Sequence, residues 1–93
     1  PTSHISNHFT LEQNYPNPFN PTTDFEFRIA DFGFVTLKVF DVLGREVATL
    51  VNENLQAGKH TITWDAGNLP SGVYYYKLQT EKFTETRKLM LTR

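Results

Sequence analysis

Three histidines, scattered carboxylates, one serine held between proline and glycine, and a set of aromatics are the side chains in this 93-residue chain that could do chemistry. A metal centre or an acid–base pair needs such groups to converge from a defined spacing. His4 and His8 fall in a polar, patternless start. His60 stands alone on an inward-facing position, where a packed and hydrogen-bonded imidazole is the ordinary outcome. Asp31, Asp41 and Asp65 sit near the ends of alternating segments. They lack the spacing of a calcium loop, so they are expected to make turns with their own backbone. Ser71 lies between Pro70 and Gly72, outside any nucleophile-elbow pattern, and there is no cysteine. No catalytic residue, metal site or cofactor is expected, and the chain is not read as an enzyme.

Trp64, Tyr74, Tyr75 and Tyr76 could in principle stack on a sugar. Alternation turns Trp64, Tyr74 and Tyr76 inward and leaves Tyr75 alone outside, which is too little for a platform. The residues left with a recognition role are the prolines. Pro16, Pro18 and Pro21 fall within six residues and remove three backbone donors. Tyr15, Asn17 and Asn20, each before a proline, are pushed toward extended conformations. The block is therefore a stiff, shaped connector that presents Tyr15 and Phe19, and it precedes a clean strand pattern.

Strand periodicity organises the remainder. At positions 24–29, Phe25, Phe27 and Ile29 alternate with Asp24, Glu26 and Arg28. Positions 34–42 place Val35, Leu37 and Val39 opposite Thr36 and Lys38. Gly44 supplies a turn, and positions 45–51 form a third β-rich run. Positions 52–58 read as a loop, and positions 59–65 put His60, Ile62 and Trp64 on one face. After a turn cluster at 67–72, positions 73–79 turn Tyr74, Tyr76 and Leu78 inward, and positions 84–92 make a last strand. With a short strand at 9–13, this predicts a seven-stranded, immunoglobulin-like antiparallel β-sandwich over residues 9–93. Residues 1–8 read as a linker remnant.

Composition narrows the partners. Net charge is −1 with no run of like charge, which disfavours nucleic acid and anionic membrane surfaces. No apolar run approaches a membrane span, so no membrane insertion is expected. A 39% hydrophobic content excludes a disordered tail. Protein recognition remains, through the proline block or through a basic last strand carrying Arg87, Lys88 and Arg93. An accessory sandwich binding polysaccharide or a partner protein is the alternative.

One resemblance connects these segments. The run Asn14-Tyr15-Pro16-Asn17-Pro18-Phe19-Asn20-Pro21 is followed by Asp41-Val42-Leu43-Gly44-Arg45-Glu46-Val47. Then come Leu69-Pro70-Ser71-Gly72-Val73-Tyr74 and Arg87-Lys88-Leu89-Met90-Leu91. In this order the motifs resemble the type A C-terminal sorting domain of the type IX secretion system, found on exported proteins of Bacteroidetes and related bacteria. The resemblance implies a non-catalytic address module, covalently part of a larger cargo protein. That cargo would pass through the periplasm to the cell surface or the medium. The implied partners are the outer-membrane translocon, a shuttle protein and a sortase-like protease that removes the module. The motif positions carried over are Pro16, Asn17, Pro18, Phe19, Asn20, Pro21, Gly44, Gly72, Tyr74, Lys88 and Arg93. Arg93 stands where lysine is common in the family, and either supplies a cation. The resemblance makes the chain end and the proline block the candidates for direct contact, with Tyr15 and Phe19 expected to cap the sandwich and recognition expected to concentrate at the chain end.

Overall fold

Phe25, Phe27 and Ile29 lie on one face of β2 (Thr22–Ile29) and are buried, while Asp24 and Arg28 on the other face stay exposed. The same period builds β3 (Gly33–Phe40), which buries Val35, Leu37 and Val39. It also builds β6 (Gly72–Gln79), which buries Tyr74, Tyr76 and Leu78. Two such faces exclude water only by meeting, and two sheets result. This computed structural model describes residues 8–93, so His4 and nearly all of the expected linker segment lie outside the described residues.

Among the described residues there are seven strands and no helix. One sheet has the order β1-β2-β5, from β1 (Thr10–Leu11), β2 and β5 (Gly58–Asp65). The other runs β4-β3-β6-β7, adding β4 (Glu46–Leu55) and β7 (Thr84–Leu91). All paired strands are antiparallel, as the alternation predicts. The fold is an all-β, immunoglobulin-like sandwich.

β4 departs from the sequence reading. The loop expected at 52–58 is strand as far as Leu55, because Gly33–Thr36 of β3 supply a backbone ladder to Asn52–Leu55. Its side chains Asn52, Glu53 and Asn54 are exposed, so hydrogen bonding rather than apolar burial holds this stretch. Two register shifts against β3 leave Val47 and Leu50 as extra residues, and both pack on the core. β1 is shorter than expected. The chain nevertheless follows β2 further, through Glu12 N donating to Glu26 O (3.0 Å) and a bridge between Tyr15 and Asp24.

Candidate recognition surface

Phe19 is the pivot of the proline block. Its backbone N donates to Met90 O and its carbonyl accepts from Thr92 N, both at 3.0 Å, so it lies parallel to the end of β7. Its ring is 1% exposed and tilts against Trp64 at 5.8 Å between centroids. Residues 10–15 track β2 in one sheet, Phe19 joins β7 in the other, and the chain returns to β2 at Thr22. The three X–Pro peptides on this path are cis. Proline suits it, since an edge segment with outward nitrogens has no ladder bond to lose. The block thus closes one open side of the sandwich.

Side chains stitch this closure. Asn17 Oδ1 accepts from Met90 N (3.0 Å), Gln13 Nε2 donates to Lys88 O (2.8 Å), and Arg87 Nε donates to Leu11 O (2.7 Å). Beneath them, the fully buried Tyr76 donates its hydroxyl to Glu12 O (2.7 Å) and accepts from Asn14 N (2.8 Å). Burial pushes the Tyr76 phenol up to about 12. Asn14 is buried too, and its Nδ2 donates to Thr23 Oγ1 (3.0 Å) and Pro16 O (3.1 Å). Sequence reasoning gave Asn14 no structural role and took Tyr76 as core alone. The only signal available was a polar residue directly ahead of an aromatic–proline pair. Tyr15 is 78% exposed and caps nothing, so the expected capping role falls to Phe19.

The remaining motif positions gather at the same pole. There β2 and β6 begin, β3, β5 and β7 end, and the β3–β4 turn lies. Gly44 takes φ 85° in the turn after β3, where a side chain would be strained although space is open. Asp41 shapes that turn, accepting from Leu43 N and Arg45 N at 2.9 Å. The bond from Arg45 N, with help from the Arg45 side chain, holds the Asp41 carboxyl below its usual range. Asp65 makes the expected turn with Gly67 N, whereas Asp31 pairs with Lys82 Nζ at 2.9 Å. Gly72 opens β6 at φ 148°, and two residues on, Tyr74 donates its hydroxyl to Pro70 O at 2.7 Å. A tyrosine bonded back to the backbone at this strand start is the corner motif of immunoglobulin-like sandwiches. Arg93 clamps the same connection. Its Nε donates to Leu69 O (2.8 Å), its backbone N donates to Ser71 Oγ (3.1 Å), and its guanidinium also meets Gly67 O.

Between the turn after β3 and the β5–β6 connection runs an open groove of about 480 Å³, bordered by the exposed Leu43 and by Leu69, Pro70 and Ser71. Pro18 and Asn20 are exposed, and Pro21, half-buried, accepts from Ala66 N at 2.9 Å. Lys88 lies three residues back along β7, on the outer face and opposite Tyr75. His60, at the other end of β5, stacks on Phe27 at 5.4 Å and shares a hydrogen bond with Gln56 O, as a packed histidine does. Ten motif positions thus share one pole, with Lys88 a short step away.

A family model, the secretion system C-terminal sorting domain, matches residues 13–92. The chain belongs to this family. No curated protein matches it. Among solved structures, PorZ, a surface component of the type-IX secretion system of Porphyromonas gingivalis, resembles it with a TM-score of 0.61 and 17% identity. The match covers 99% of this chain and 12% of PorZ, and at that identity it establishes the fold alone. The Ig1 domain of mouse SynCAM 2 aligns with a TM-score of 0.46 and 15% identity, over 92% of this chain and 94% of its own. The sorting domain is the type IX export signal of a larger cargo, destined for the cell surface or the extracellular space.

The tyrosine corner gives a first expected outcome. Tyr74→Phe removes one hydroxyl and leaves Pro70 O without that donor, for a loss of about 1 kcal/mol in urea unfolding. A variant as stable as the parent would show that the bond contributes nothing.

Proposed function

We propose that the pole carrying the proline block, Gly44, Gly72, Tyr74 and Arg93 is the face by which the export machinery reads this domain. The reading is carried by one observation. Motifs spread from position 14 to position 93 in sequence share one end of the sandwich in space. The translocon of the outer membrane and a shuttle protein are the partners, met while the cargo is in the periplasm. A sortase-like protease then cuts upstream of Phe9, where residues 1–8 join the cargo to a single sandwich over residues 9–93. The domain supplies a surface and no reaction.

Within the pole, Asn17, Phe19, Gly44, Gly72 and Tyr74 hold the shape. Pro16, Pro18, Asn20, Lys88 and Arg93 offer exposed atoms to a partner. The test joins this chain to a folded reporter with a signal peptide, in a bacterium that carries the system. Lys88→Ala should lower surface delivery several-fold while leaving circular dichroism and melting unchanged. Arg93→Ala should lower delivery several-fold too, and its melting is measured alongside because it gives up the side-chain bonds to Leu69 O and Gly67 O. Lys82→Ala at the opposite pole should leave delivery at the parent level. Delivery unaffected by both pole variants would remove the pole as the recognition face.

A further inference from the structure

Each sheet of a sandwich has two edges, and three of the four here are managed. The outer edge of β7 is occupied near its end by Asn17 and Phe19. β1 is two residues long, and the chain beyond it covers β2. β4 carries two bulges and the exposed acids Glu46 and Glu53, both devices that discourage pairing. β5 has no bulge and no covering segment among the described residues, and its two exposed charges, Lys59 and Asp65, are of opposite sign. It pairs with β2 over all eight residues without a register shift, and among the described residues no backbone group of 59–65 bonds to anything beyond that ladder. Its inward row of His60, Ile62 and Trp64 is only half-buried, because no strand of the described residues lies beside it on the outer side.

We propose that this edge pairs with the β5 edge of a second copy of the chain, antiparallel about a two-fold axis at Ile62. Charge complementarity selects that partner and that register. With Ile62 opposite Ile62, Lys59 of each copy faces Asp65 of the other, and both pairs form at once. Thr61 then meets Thr63 on the outer face, and His60 meets Trp64 on the inner face. Any register moved by two residues loses both ion pairs and shortens the overlap, and one moved by a single residue turns the inner row outward. The two three-stranded sheets become one six-stranded sheet, and the half-exposed Ile62 and Trp64 gain cover. The block's backbone bonds go to β7, to β2 and to Ala66 rather than to the outer edge of β5, so pairing there breaks none of them, although Trp64 also packs on Phe19.

The experiment follows the mass of the 93-residue chain by sedimentation across a wide concentration range, with Lys59→Glu and Asp65→Lys as variants. The parent should move from monomer to dimer. Each variant alone places like charges at both ends of the paired strands, and its association should weaken at least about tenfold. Mixed together, the two variants restore both opposite-charge pairs, and a heterodimer should return at near-parent strength. Lys59→Glu loses an exposed pair with Glu26 at 3.5 Å but gains Arg28 as its cross-strand neighbour, so folding is retained. Asp65→Lys gives up the turn bond to Gly67 N, and its fold is checked by melting. Should Asp65→Lys unfold, Asp65→Asn takes its place, with a weaker dimer expected and no rescue on mixing. Trp64, the one tryptophan, gives an independent signal: its emission should shift with concentration in the parent and not in Lys59→Glu. A chain monomeric at every concentration, or variants that associate as strongly as the parent, would overturn the proposal. Neither outcome bears on the sorting role.

Discussion

Phe19→Ala is expected to destabilise the domain by about 3–5 kcal/mol, the range for an aromatic side chain removed from a packed core. Phe19 is the point where the proline block joins two sheets, since its ring packs on Trp64 while its backbone bonds to the end of β7. Domains of this size are typically stable by about 5–15 kcal/mol, so the loss takes a large share of the total. Phe19→Leu refills most of the space and should cost less, about 1.5 kcal/mol. Urea unfolding measures both. Hydrogen exchange adds a local reading: Thr92 N, which donates to Phe19 O, should exchange faster in Phe19→Ala than in Phe19→Leu. An alanine variant within about 1 kcal/mol of the parent would mean that the block lies on the sandwich without holding it.

That dependence explains why some of the molecule was legible in its sequence and some was not. Alternation at Phe25, Phe27 and Ile29 has a single solution, because a one-residue slip would expose the whole row. The turn at Gly44 was legible for a similar reason, since a positive φ narrows the residue choice. The strand through Asn52–Leu55 was not, because its pairing with β3 comes from backbone groups that every sequence carries. The proline block showed its stiffness but not its destination. Nothing local in Asn14 points to Tyr76, 62 residues away, and nothing in Asn17 points to Met90. Motifs that stood at opposite ends of the sequence, with recognition expected at the later one, prove to be neighbours. Spacing orders motifs along the chain, whereas closure of the sandwich decides which of them meet.

Tyr76 makes that closure depend on pH in a way that can be measured. The phenol donates to Glu12 O and receives Asn14 N within the core, so ionising it forfeits the first bond and places a charge in a dry site. Burial therefore pushes its pKa from the ordinary tyrosine value of 10.0 up to about 12, despite the opposing help from Asn14 N. The folded chain holds this proton more tightly than the unfolded chain. The resulting stabilisation is fully present below pH 10, declines as the unfolded tyrosine ionises, and is gone above about pH 12. A shift of this size corresponds to roughly 2–3 kcal/mol at about 1.4 kcal/mol per unit. Lysines titrate in the same range, so the useful quantity is the parent minus Tyr76→Phe. At neutral pH the variant should be weaker by about 1–3 kcal/mol, because Asn14 N and Glu12 O lose their partner. Toward pH 12 that difference should close, since the parent by then has lost the same advantage. A gap that stays constant across the window, or phenolate absorbance showing Tyr76 ionised near pH 10 in the folded chain, would sink the argument. A gap that closes identifies one hydroxyl as the catch between the proline block and the sheet carrying the last strand. The shape of that pole then rests on a residue buried in the core beneath it.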